Sequence, residues 1–133
     1  MKRKIVITDD DPGVLEIFKI IFEKEGFETI TLSNPKPLLQ NEYMDADIYL
    51  LDKQLSGADG IEVCKYLKQN HQTRNKPVLI ISANPTARAQ SEQAGADGFI
   101  EKPFLKKELL AKVNQSLQEQ YVWKKEQLID INK

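Results

Sequence analysis

Polar side chains follow four apolar segments of this 133-residue chain, and their chemistry suits the handling of phosphate. Three acids follow the first segment, and an acid, a hydroxyl and an ammonium group follow the others: Asp9, Asp10, Asp11, Asp52, Ser82 and Lys102. Crowded carboxylates repel one another, and a hard divalent cation such as Mg²⁺ relieves that repulsion because it prefers oxygen ligands. A lysine and a serine can also contact phosphoryl oxygens, so the set predicts phosphoryl transfer.

These side chains can meet only if the fold brings the ends of their segments to one edge. Most of the apolar segments are continuous runs of branched residues, which is typical of parallel strands buried on both faces. We predict strands at 4–8, 27–32 (an edge strand), 48–51, 78–81 and 97–101. We predict helices at 12–24, 35–41, 60–69, 86–94 and 104–118. Such alternation indicates a parallel sheet covered by helices, with its binding site at the carboxyl ends of the strands.

Two of these helices have detailed predicted features. Asp11 is a predicted N-cap, and Pro12 suits the first helical position. The first helix has a broad predicted apolar face, formed by Val14, Leu15, Ile17, Phe18, Ile21 and Phe22. The last helix has apolar residues at four-residue steps, namely Leu105, Leu109, Val113 and Leu117.

Composition narrows the classes of function. The chain has 19 basic and 20 acidic side chains, and its 41% hydrophobic share is typical of a single globular domain. Near-neutral charge argues against direct nucleic-acid binding, and no apolar run approaches the roughly 18 residues of a membrane span. The basic start runs too soon into the aspartates for a signal peptide, and the one cysteine excludes an intrachain disulfide. We therefore expect a full-length cytoplasmic protein without membrane insertion.

Four stretches of the chain resemble the receiver domain of two-component response regulators. They are IVITDDDP at 5–12, DIYLLDKQLSGADG at 47–60, PVLIISA at 77–83 and AGADGFIEKPF at 94–104. The resemblance covers 3–118 and implies an α/β fold of the flavodoxin-like, doubly wound (βα)5 type, with a five-stranded parallel sheet in the order 2-1-3-4-5. We assign residues 1–120 to a receiver domain. Residues 121–133 are a C-terminal extension that either prolongs the last helix or packs separately.

The resemblance implies a phosphoacceptor and a metal site. Asp52 would accept the phosphoryl group as a carboxylate nucleophile. Mg²⁺ would be bound by Asp9, Asp10 and Asp52, with the backbone carbonyl of Gln54 as a further ligand.

It also implies contacts to the phosphoryl group and a switch. Lys102 and Ser82 would contact the phosphoryl oxygens, Ser82 and Phe99 would act as switch residues, and the Lys102–Pro103 peptide bond would be cis. The implied protein is a single-domain response regulator without separate substrate turnover, although it assists its own phosphorylation and dephosphorylation. A histidine kinase or a histidine phosphotransfer protein would donate from phosphohistidine. The face formed by the fourth helix, fifth strand and fifth helix would then change.

Output would go to a separate downstream protein or to phosphorylation-dependent self-association, since no DNA-binding or catalytic domain follows residue 118. Three departures leave the partner and the phosphate lifetime open. The family often has a proline near Ser56, Lys53 places a charge beside the acceptor, and the stretch 83–95 is shorter than in many relatives. Gln54 and Asn84 occupy positions that tune dephosphorylation in relatives.

Two other functions remain open. In a haloacid-dehalogenase-like phosphatase, Asp9 would be the nucleophile and Asp11 the general acid, but Asp52 would then have no role. A receiver-like binding module could instead act without phosphorylation. A flavin-binding function is disfavoured, because three aspartates in the first loop would repel a phosphate group.

Overall fold

Five parallel strands form the central sheet in the computed structural model, which describes residues 2–55 and 58–131. They are β1 Lys4–Thr8, β2 Glu28–Leu32, β3 Ile48–Asp52, β6 Val78–Ser82 and β7 Gly98–Glu101, in the order β2-β1-β3-β6-β7. Two short strands, β4 Gln54–Leu55 and β5 Ala58–Asp59, form a separate antiparallel hairpin. Counted over the five long strands, the order is 2-1-3-4-5, so the implied flavodoxin-like fold and the edge position of β2 are confirmed.

Five helices cover the sheet, and each face has its own apolar core. The helices are α1 Pro12–Lys24, α2 Lys36–Leu39, α3 Gly60–Gln69, α4 Ala87–Gln93 and α5 Lys106–Ile131. Successive strand residues point to opposite faces. Val6 and Ile80 therefore belong to the core under α2, α3 and α4. Ile7 and Ile81 belong to the core under α1 and α5.

Three sequence predictions about packing need correction. Ile17 is 59% exposed, because the helical period places Leu15, Phe18 and Phe22 on the buried face instead. Leu105 is also 59% exposed, because α5 begins only at Lys106. The same helix continues to Ile131 rather than ending at 118, and this is the prolonged helix that the sequence analysis left open as one alternative for 121–133. The β4–β5 hairpin was not predicted at all.

The predicted cap of α1 is present, since the Asp11 side chain accepts hydrogen bonds from the backbone N–H groups of Gly13 and Val14. Ser56 and Gly57, where the family often has its proline, lie outside the described residues. Among the residues that the structure describes, no helix is long and apolar enough to cross a lipid bilayer.

Candidate functional site

The register of the sheet brings the predicted site residues to one edge. Thr8, the last residue of β1, pairs with Leu51, which precedes Asp52 at the end of β3. On the other side of β3, Asp52 pairs with Ile81 of β6. Ser82 then pairs with Glu101 of β7. Four neighbouring strands therefore end side by side, and the residues that follow them must share the same space.

Three carboxylates meet at this edge. Asp9, Asp10 and Asp52 each offer an oxygen, and these oxygens all lie within 4.8 Å of one another. Asp9 is almost completely buried, and Asp52 has a side chain that is only 13% exposed. The Lys102 Nζ atom lies 3.4 Å from Asp52 Oδ2 and 3.6 Å from Asp9 Oδ2. The predicted gathering of these four side chains is present in the structure.

The electrostatics of the cluster show an excess of negative charge. Burial and, to a smaller extent, the neighbouring Asp9 carboxylate raise the pKa of Asp52, whereas Lys102 and the Gln54 backbone N–H lower it, and the net result is a pKa of about 6. The Lys102 ammonium group therefore does not offset the effect of burial and of Asp9 on the Asp52 carboxyl group. A hard divalent cation fits this donor set, since crowded carboxylate oxygens are the ligands that Mg²⁺ prefers.

A cavity of about 460 Å³ opens beside the carboxylates. Its lining includes two of the acids, the lysine and three further polar residues: Asp10, Asp52, Gln54, Ser82, Asn84 and Lys102. The Ser82 hydroxyl oxygen accepts a hydrogen bond of 3.0 Å from the Asn84 backbone N–H. The hydroxyl proton thus has no role in that bond and can be donated to a group in the cavity. The ammonium group and the hydroxyl donor can contact phosphoryl oxygens, and the acids can hold a cation beside them.

Two further sequence-predicted features remain, namely the cis peptide bond and Phe99. The Lys102–Pro103 peptide bond is cis, as the resemblance implied. Phe99 is only 3% exposed and packs in the core with Ala87, while the Arg88 guanidinium lies 5.0 Å from its ring centroid. The lining of the cavity therefore does not include Phe99.

The geometry disfavours the phosphatase hypothesis. Asp11 Oδ1 accepts hydrogen bonds from Gly13 N at 2.8 Å and from Val14 N at 3.4 Å, so this carboxylate caps α1. The carboxylate cluster contains Asp9, Asp10 and Asp52 and omits Asp11. Asp11, the general acid of the phosphatase hypothesis, is thus engaged in capping α1. Asp52, which that hypothesis leaves without a role, lies in the cluster.

Sequence reasoning missed Gly60, which supports the site from behind. A Cβ atom at this position would lie 2.1 Å from the Asp52 carbonyl oxygen, so only glycine fits there without movement. The Gly60 N–H also donates to the Lys53 carbonyl at 2.7 Å. The only available signal was a glycine at the first position of the predicted helix 60–69, which does not reveal what lies against it.

Comparison with known proteins identifies the family and agrees with the fold. The family model for the response regulator receiver domain matches residues 5–114, so the chain belongs to that family. A protein described as a response regulator from Chloroflexus aurantiacus is 28% identical with a TM-score of 0.83, over 89% of this chain and 99% of that one. The BeF3-activated receiver domain of DrrB, a Thermotoga maritima protein, is 26% identical with a TM-score of 0.78, over 89% and 99%. The chemotaxis response regulator CheY4 of Vibrio cholerae shares the fold, with 20% identity, a TM-score of 0.80, and coverage of 87% and 99%.

Proposed function

We propose that this receiver domain accepts a phosphoryl group on Asp52 from a phosphohistidine donor, with Mg²⁺ bound in the same site. The observation that carries the proposal is the meeting of three carboxylates within 4.8 Å, with Lys102 beside two of them. Asp9, Asp10 and Asp52 would hold the metal, together with the backbone carbonyl of Gln54. Bound Mg²⁺ supplies positive charge that offsets the carboxylates and the incoming phosphoryl oxygens.

The residues of the chain would divide the reaction between them. A carboxylate oxygen of Asp52 attacks the phosphorus atom, and the P–N bond to the donor imidazole breaks with its electron pair leaving on that nitrogen. Lys102 then holds a phosphoryl oxygen by a charge-assisted hydrogen bond, and Ser82 donates its hydroxyl proton to another. These contacts hold the group in place, which is most of what phosphoryl transfer asks of a protein.

The signalling partners follow from the family. We propose a histidine kinase or a histidine phosphotransfer protein as the donor, a cytoplasmic location, and a separate downstream protein or self-association as the output. The face made by α4, β7 and α5 would change when Ser82 moves toward the phosphoryl group and Phe99 follows. The relative DrrB is described as BeF3-activated, which supports activation of this fold by a phosphoryl analogue.

Phosphorylation by acetyl phosphate, followed by intact-protein mass spectrometry, tests the proposal. We expect one phosphoryl group on the wild type in the presence of Mg²⁺, and none on Asp52→Asn or after chelation of the metal. Asp11→Asn is a matched control, because its side-chain oxygen can still cap α1. Label that persists on Asp52→Asn, and that disappears when Asp9→Asn or Asp11→Asn is added to it, would favour the phosphatase instead. Labelling of the wild type without any effect on partner binding would favour a phosphorylation-independent module.

A further inference from the structure

The turn after the phosphoacceptor closes on the beginning of α3. Gln54 of β4 pairs with Asp59 of β5, and the Gly60 N–H donates to the Lys53 carbonyl at 2.7 Å. Each strand of this hairpin has only two residues. Two-stranded hairpins are at best marginally stable alone, so contacts outside the ladder must hold this one in place.

Lys53 and Asp59 provide such a contact. The Lys53 Nζ atom lies 3.2 Å from Asp59 Oδ2, and the lysine side chain is only 19% exposed. The other carboxylate oxygen of Asp59 accepts the N–H of Ile61 at 2.9 Å and caps α3. One carboxylate therefore joins the residue beside the phosphoacceptor to the first turn of a helix that is packed in the core.

We propose that the Lys53–Asp59 ion pair positions the backbone carbonyl of Gln54 and thereby sets the divalent-cation affinity of the Asp9–Asp10–Asp52 site. This inference rests on the proposed function, since it concerns the metal of that site. Gln54 directly follows Lys53, so a loosened turn spends less time with its carbonyl in place. Apparent affinity falls in proportion to the fraction of molecules in the binding-competent arrangement.

A simple charge effect of Lys53 predicts the opposite sign. If the ammonium group acted only as a positive charge near the acids, its removal would strengthen the binding of a cation. If the ion pair positions the turn, its removal weakens the binding. The ammonium group is engaged by Asp59, so Lys53 is a positioning residue and not a phosphate ligand.

Isothermal titration calorimetry with Mg²⁺ on the unphosphorylated protein distinguishes the two. We expect the Kd to rise about two- to fivefold in Lys53→Met, a range that corresponds to a partly exposed ion pair. Asp59→Asn keeps a capping oxygen and should give a similar rise, the double variant no more than either single one, and Lys53→Arg should restore wild-type affinity. Lys65→Met is the matched control, because it removes one positive charge and one ion pair, to Glu62 at 3.3 Å, within α3, the helix that Asp59 caps.

Amide hydrogen exchange gives a readout that does not depend on the metal. The Gly60 amide, which donates to Lys53, should exchange faster in Lys53→Met, while amides in β1 and β3 keep their wild-type rates. An unchanged or lower Kd in Lys53→Met would overturn this inference alone, as would faster exchange throughout the domain. Failure of the wild type to bind Mg²⁺ would overturn the proposed function as well.

Discussion

Substitution of Gly60 by alanine should damage both the stability and the chemistry of this domain. The added Cβ atom would lie 2.1 Å from the Asp52 carbonyl oxygen and 2.9 Å from both the Asp52 carbonyl carbon and Lys53 Cα. Since Cβ atoms essentially never approach within 3.0 Å, the two backbones must separate by about 0.9 Å. Overpacking of this kind typically costs about 1–3 kcal/mol in the free energy of unfolding.

The same movement displaces the phosphoacceptor. A shift of about 1 Å in a reacting group can lower a rate by about 100-fold, so Gly60→Ala should be phosphorylated about 10- to 100-fold more slowly than the wild type. A mass-spectrometric time course with acetyl phosphate measures the rate, and urea denaturation measures the stability.

Gly13→Ala is the control for this prediction, because Gly13 also lies in the first turn of a helix. Its added Cβ would meet only the Asp11 Oδ1 atom, at 3.2 Å, and a side chain can yield where a backbone cannot. We expect Gly13→Ala to keep the wild-type phosphorylation rate. A wild-type rate and wild-type stability in Gly60→Ala would refute the close packing of α3 against the acceptor strand.

Three further predictions concern charges in and near the site. Burial raises the pKa of Asp52 to about 6, above its unfolded value, so the metal-free wild type should lose stability as the pH rises from about 4 to about 6. The loss should be on the order of 1–2 kcal/mol in the free energy of unfolding after allowance for solvent screening, and Asp52→Asn should lack it. Urea denaturation that gives the two proteins the same pH dependence across that window would contradict this prediction. Lys102→Met should raise the pKa of Asp52, because Lys102 favours the charged carboxylate. A carbon-13 NMR titration of the metal-free protein would detect the change, with Lys106→Met as the control. An unchanged midpoint in Lys102→Met would count against the contact between Lys102 and Asp52. Arg88→Ala should cost about 0.5–1 kcal/mol through the lost cation–π contact with Phe99, and the idea fails if urea denaturation shows the same cost in a Phe99→Leu background.

The fold could be predicted from the sequence where local pattern and tertiary packing agree. Continuous apolar runs such as 78–81 indicate strands because both faces of a parallel sheet are buried, and Val78–Ser82 is buried throughout. The end of α5 could not be predicted in this way. The apolar four-residue period that the sequence shows ends at Leu117, and its members Leu109, Val113 and Leu117 are buried, whereas the helical backbone continues to Ile131. Periodic burial reveals where a helix contacts a core and not how far its backbone continues.

The side chains of the site could be predicted from the sequence, but the backbone that supports them could not. Asp9 and Asp52 come from segments far apart in the chain, yet Asp9 directly follows β1 and Asp52 ends β3, and adjacent parallel strands share one edge. The backbone that supports them carries no such pattern. The approach of Gly60 to the Asp52 carbonyl and the two-residue strands of the hairpin depend on a turn whose shape is set in three dimensions.

The burial of the acids and the proposed response to phosphate have one physical cause. The raised pKa of Asp52, about 6, shows that burial and the neighbouring Asp9 outweigh the stabilising effect of Lys102 on this carboxylate. A phosphoryl group on Asp52 would add negative charge to the same small volume. Bound Mg²⁺ and Lys102 would offset part of that charge, and Ser82 has a hydroxyl proton to donate to a phosphoryl oxygen. Ser82 and Phe99 lie on the adjacent strands β6 and β7. A small movement at the acid cluster would therefore change the packing beneath α4, where Arg88 covers the Phe99 ring. The negative charge that phosphorylation adds beside the acid cluster is therefore what would allow one covalent modification to change a distant face.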